Sequence, residues 1–398
     1  MDGISKRIVL FLSAITGIAA LGAGLITPVF TLFLYDVMSF DVLTIGLIYA
    51  FYTAAFVVFP IPFGIFSDKK GRKPTMMLGL LGYAFSYLLR ILADKPMAFG
   101  VLYSLEGLGD SSFKPAAQSA IADVVTDEER GSAYGIYHAA GAGAIIVGYF
   151  LSGFVATTLS FFFSFLIGSL LCFVSLIVVV LLMRETLRLD IEERYKINLK
   201  RIFSEKTRRP LIIYLIAIIL ANFGVAAIMP VLSIFMILQY DLTLNYVGIA
   251  WFVYMIAYFI TSVPTGKLAD KYSNKNTLGI GLLVAAFSFY LIGTQGSFIG
   301  LTVALIFFGT GNSMILNAGT SYMMNLTSIE IRGRTVSILN VLKMSGGIIG
   351  PIISGILWET IAPVYSFLLP AVCVLVGGIF FLLVGIPDRE LRTPVSNV

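Results

Sequence analysis

Glu106, Asp110, Lys114 and Gln118 recur at every fourth position of an otherwise apolar stretch. On an α-helix that spacing lays them in one slowly drifting stripe, about 6 Å of rise apart. Two carboxylates beside one ammonium sum to minus one, and burial pushes one carboxyl of such a set toward its neutral form. A carboxyl poised in this way takes up and releases a proton, with Glu106 the first choice for that role and Asp110 the second. The competing reading is structural: Asp110 and Lys114 pair at i,i+4 with the acid on the favoured N-terminal side, and Arg90 or Lys343 neutralises the excess. His138, the only histidine, adds a group that titrates near neutrality, although a lone histidine is more often a packing residue.

The elements that hold these groups are set by composition. Hydrophobic residues make up 58% of the chain and charged residues 12%, with a mean hydropathy of +0.94. A soluble domain carries about 25% charged residues, so the solvent of this chain is the bilayer. Charged and Gly/Pro-rich joints leave twelve apolar segments, each long enough to span at about 20 residues. They fall at about 6–34, 41–66, 72–93, 96–123, 130–157 and 160–184, then 209–238, 243–268, 275–293, 297–325, 331–358 and 363–385. Unpaired backbone is not tolerated in lipid and a barrel strand is half this length, so the fold is an all-α membrane protein. An ionised side chain in hydrocarbon costs several kcal/mol, so the fourth-span stripe faces a wet cavity or a partner.

The chain is built twice. Gly64-Ile-Phe-Ser-Asp68-Lys-Lys-Gly71-Arg72-Lys73 is answered 202 positions later by Gly266-Lys-Leu-Ala-Asp270-Lys-Tyr-Ser-Asn-Lys275. The same offset sets Pro28 on Pro230, Gly46 on Gly248, Tyr52 on Tyr254, Gly107 and Gly109 on Gly309 and Gly311, Arg130 on Arg332 and Gly148 on Gly350. An unbroken register of this kind is a mark of transporter folds. It divides the chain into a first six-helix bundle (1–184), a connector (185–208) whose 190–203 part is amphipathic, and a second six-helix bundle with a short tail (209–398). Gly22–Leu34 has its counterpart in the second copy, so the first apolar run belongs to the repeat and not to a cleaved leader.

Of the 27 Lys and Arg, all but Arg90, Lys95, Lys114 and Lys343 lie at the termini or in alternate joints, which places both termini in the cytoplasm. The basic balance therefore needs no nucleic acid to explain it. Cys172 and Cys373 sit deep in apolar runs without a neighbouring Cys or His, so neither a disulfide framework nor a metal site is expected. No His cluster, nucleophile–base pair or phosphate-binding glycine loop is visible, so neither enzyme chemistry nor a cofactor is indicated. Polar residues at equivalent places in both halves, Asp110 with Asn312 and His138 with Asn340, point to a shared cavity. Its expected lining is Tyr103, Lys114, His138, Asn222, Asn312, Asn340 and Lys343, although aromatic residues on membrane helices are more often core or interfacial.

Twelve spans in two parallel halves, with the 64–73 motif after the second, resemble the major facilitator superfamily. The physical reasons for the motif stand beside the resemblance: Gly64 admits a close helix contact, Gly71 makes the turn, Asp68 accepts from a neighbouring helix N-terminus, and Arg72 pairs with Asp123. The resemblance implies that these groups, with Asp270 in the degenerate second copy, form a cytoplasmic latch that breaks on inward opening. Leu21-Gly-Ala-Gly-Leu-Ile-Thr-Pro28-Val-Phe also resembles the first-helix signature of the twelve-span drug:proton antiporters. In the fifth span Gly148-Tyr-Phe-Leu-Ser-Gly153 lacks that branch's proline, and Tyr103 stands where its fourth-span arginine would be. The implied protein is a monomeric secondary transporter of the plasma membrane that exports a small amphipathic solute against protons, by alternating access within lipid. A proton-coupled importer or exchanger of an anionic metabolite, using Lys114, Lys343 and Arg90, is the second reading. A non-transporting membrane sensor is the third.

Overall fold

Inside a bilayer every backbone N–H and C=O needs a partner within its own segment, which turns long apolar runs into helices. The computed structural model describes residues 3–187, 205–326, 339 and 341–386, and these form helices joined by short turns with no strand among them. Nine of the described helices are long and apolar enough to cross a membrane, and the bent pair Val42–Val58 and Pro60–Lys70 makes a tenth. Arg72–Leu89 and Pro96–Val124 stand where the third and fourth spans are expected. The first of these opens on Arg72-Lys73-Pro74 and the second carries the charged stripe, so both are less apolar than their neighbours. The amphipathic 190–203 stretch, Asn340 and the tail from 387 onward lie outside the described residues.

The second span departs from the single segment expected at 41–66. Its helix stops at Val58 and resumes at Pro60 with a 44° bend, continuing to Lys70. Proline has no N–H to donate to the preceding turn but fits the first turn of a new helix, so Pro60 ends one rod and starts another.

The described chain separates into two compact units, Met1–Arg194 with Leu232–Phe252, and Tyr195–Val231 with Val253–Val398. One helix crossing recurs in both units at the 202-residue offset. In the first unit a Cβ on Gly107 would meet Tyr52 O at 2.5 Å and Ala55 Cβ at 3.1 Å; in the second, a Cβ on Gly309 would meet Tyr258 N at 2.7 Å and Ala257 Cβ at 3.0 Å. Helix backbones touch at these crossings because no side chain intervenes. The first-helix signature has the same use, since a Cβ on Gly24 would lie 3.0 Å from Gly148 Cα on the fifth span.

Candidate functional site

The fourth-span carboxylates are each held by one cation. Arg90, at the end of the third span, places Nη2 2.5 Å from Glu106 Oε2 and 3.1 Å from Ser86 Oγ, and Tyr87 Oη donates to Glu106 Oε1 at 3.3 Å. Arg90 is wholly buried. Its guanidinium carbon lies 4.1 Å from the ring centre of Phe30, 4.9 Å from Tyr103 and 5.3 Å from Tyr87. A planar, weakly hydrated guanidinium suits such an aromatic surround better than an ammonium does. One turn along, Lys114 Nζ lies 2.6 Å from Asp110 Oδ1, Tyr52 Oη donates to Asp110 Oδ2 at 2.5 Å, and Tyr83 Oη donates to Oδ1. The Lys114 side chain remains 53% exposed.

Arg90 therefore corrects the expected charge excess. Glu106, Asp110 and Lys114 alone sum to minus one, whereas with Arg90 the four groups are neutral. Tyr103 stacks on Tyr52 at 4.8 Å between ring centres and is buried among aromatic rings. His138 is exposed, with its ring 5.2 Å from that of Tyr137.

The second unit holds a cavity of about 330 Å³. Asn222 of Glu205–Tyr240, Tyr254 and Tyr258 of Leu244–Lys271, Asn312 of Phe298–Asn325 and Lys343 all line it. Asn312 Nδ2 donates to Tyr254 Oη at 2.9 Å, and Asn222 Nδ2 donates to the Ile218 carbonyl at 2.9 Å. The Asn312–Tyr254 contact is the repeat equivalent of Asp110–Tyr52. Asn222, Asn312 and Lys343 thus line one cavity. Tyr103, Lys114 and His138 belong to the first unit and line no part of this cavity.

At the joint of the second and third spans, Arg72 gathers three partners. Its Nε lies 3.1 Å from Asp123 Oδ2, and its Nη1 lies 2.6 Å from Asp68 Oδ1 and 3.0 Å from Ser67 Oγ. The Arg72–Asp123 pair is the one expected. Asp68, expected to accept from a neighbouring helix N-terminus, meets Arg72 instead and is 59% exposed. Gly64 also differs: a Cβ there would meet nothing within 4 Å, so it makes no close helix contact in this structure. Asp270 is exposed and joins no ion pair among the described residues.

Sequence reasoning missed Glu185, just beyond the sixth span. Its carboxylate accepts from the backbone N–H of Arg72 at 2.8 Å and of Lys73 at 3.1 Å, capping the helix Arg72–Leu89. Lys73 Nζ in turn donates to the carbonyls of Val180 and Met183, each at 2.8 Å, at the far end of Phe161–Leu182. Each helix end is closed by a residue borrowed from the other. Burial pushes the Glu185 carboxyl up, but hydrogen bonds from the N–H groups of Leu187, Arg72, Lys73 and Thr186 outweigh it and hold the pKa below the ordinary value. Gly71 sits at φ 113°, and a Cβ there would fall on that same carboxylate. The turn therefore requires glycine twice over, by backbone angle and by space.

A duplicated all-helical membrane architecture, with paired charges in one unit and a cavity carrying two amides and an ammonium in the other, defines a transporter class of fold. A model of the Major Facilitator Superfamily matches residues 12–223 and again 214–397, and the chain belongs to that family. It is 27% identical to Multidrug resistance protein 2 of Bacillus subtilis over 384 residues, covering 94% of each chain. It is 26% identical to Tetracycline resistance protein, class H, of Pasteurella multocida over 396 residues, covering 92% of this chain and 95% of that one. The nucleoside transporter NupG superposes with a TM-score of 0.81 at 15% identity, over 95% of this chain and 99% of that one. A bacterial homolog of the human lysosomal transporter Spinster, inward-facing and occupied, gives 0.81 at 15% identity over 98% and 99%. These two likenesses concern the fold.

Proposed function

We propose that this chain is a proton-coupled exporter of small amphipathic organic solutes in the plasma membrane, working as a monomer by alternating access with both termini in the cytoplasm. Support for export comes from the Leu21–Phe30 signature and from relatives named for multidrug and tetracycline resistance. The observation that carries the coupling is the contrast between the two fourth-span ion pairs. Arg90 is sealed and pinned by three rings, so Glu106 keeps its counter-ion and serves as a fixed scaffold. Lys114 is half exposed on a flexible stem, so it can leave Asp110, and the carboxylate left behind then takes a proton. Asp110 is accordingly the proton carrier. The Asp68–Arg72–Asp123 cluster, tied to the sixth span through Gly71 and Glu185, is the latch whose release accompanies inward opening.

The test uses proteoliposomes with an imposed pH gradient and a panel of cationic, neutral and anionic organic solutes. Solute movement against its gradient, abolished by a protonophore, is the expected result. Flux that ignores the pH gradient for every solute moved would overturn the coupling.

A further inference from the structure

The ionised groups of the fourth span are matched within the first unit, whereas Lys343 joins no ion pair among the described residues. Among the described residues that line the second unit's cavity, it is the only ionisable one apart from tyrosines. An ammonium among apolar helices is costly until a counter-ion joins it. The rest of the lining defines what that counter-ion must be attached to. Tyr254, Tyr258, Ile315 and Leu316 offer ring faces and aliphatic wall, while the Asn222 and Asn312 amides each have capacity beyond the single hydrogen bond they make. The volume of about 330 Å³ stands at the lower end of small-molecule pockets, which run from roughly 300 to 1,000 Å³.

We propose that this cavity takes an amphipathic organic anion: a compact ring-bearing acid with its carboxylate on Lys343, an amide of Asn222 or Asn312 on a second polar group, and its ring against Tyr254 and Tyr258. The inference rests on the transport reading above and narrows its solute to an acid. A cation is excluded from this position by Lys343 itself, and a neutral solute leaves the ammonium unmatched.

Equilibrium binding to the full-length protein in lipid nanodiscs tests this with benzoate, naphthoate and indole carboxylate, each measured beside its neutral amide. The acids are expected to bind at least about tenfold more tightly than their amides, a difference of about one charge-assisted contact. Lys343→Gln should erase the preference and Lys343→Arg should keep it, the second variant separating loss of charge from loss of fold. Equal binding of acids and amides, a preference that survives Lys343→Gln, or no binding of any acid would overturn the proposal. Counterflow with the same protein reconstituted in proteoliposomes keeps the two readings apart. Flux of neutral or cationic solutes without preference for acids sinks the anion site and leaves transport standing; acid binding that depends on Lys343 without flux of any solute sinks transport and leaves the site.

Discussion

Arg90 Nη2 lies 2.5 Å from Glu106 Oε2, and no part of Arg90 is exposed. Removing one partner of such a pair strands the other charge, at a cost of about 3–5 kcal/mol, whereas replacing both with apolar residues is often neutral. The second repeat shows which residues: Ile292 and Phe308 stand at the equivalent positions, and Phe308 stacks on Tyr254 with ring centres 4.5 Å apart. Glu106→Gln or Arg90→Ile alone should lower the folded yield and melting temperature of the purified protein. The double variant Arg90→Ile, Glu106→Phe should recover most of that loss. If the double variant is as unstable as the sum of the singles, the pair is not the scaffold described here.

Glu185 gives a pH-dependent term. Its folded-state pKa is depressed, so the stability it contributes is present above its ordinary value of 4.5 and is lost as pH falls through the lower, folded value. A lost helix cap costs roughly 1 kcal/mol. Thermal unfolding of wild type and Glu185→Gln should therefore differ at neutral pH and converge on acidification below that range. A difference that stays constant across the whole series would remove Glu185 from the cap.

The two copies of the loop motif should behave unequally. Asp68 holds Arg72 at 2.6 Å, while Asp270 joins no ion pair among the described residues. Asp68 is the exposed partner, and Arg72 keeps Asp123 when Asp68 is neutralised, so Asp68→Asn should cost at most about 1 kcal/mol and leave the melting temperature nearly unchanged while sharply reducing transport. Asp270→Asn should reduce it far less at matched expression. Equal losses would show that the latch does not reside in the first copy.

Much of this was legible in the sequence. The 202-residue register set Gly107 on Gly309, and the crossings at these two glycines show the same neighbours in both units. Arg72 with Asp123 followed from motif position and Asn312 was marked by its repeat mate Asp110, whereas Asn222 and Lys343 stood out only as polar residues in apolar spans. What sequence could not supply was rotation of one helix against another. Arg90 lies 16 positions from Glu106 and on a different span, and Glu185 lies 113 from Arg72, so neither pairing has a local signature. Gly64 erred for the same reason: a small residue permits a close contact, but only the neighbouring helix decides whether one is made. The bend at Pro60 was within reach, since proline opens helices more readily than it continues them.

Under the proposed function Asp110 carries the proton while Glu106 is held as scaffold. In proteoliposomes, Asp110→Asn imitates the neutral acid and cannot release a proton, so it should retain solute exchange at symmetric pH but lose accumulation driven by a pH gradient. The double variant Arg90→Ile, Glu106→Phe, once shown to be folded, should keep that accumulation. Full pH-driven accumulation by Asp110→Asn, or its loss in the folded double variant, would contradict the account.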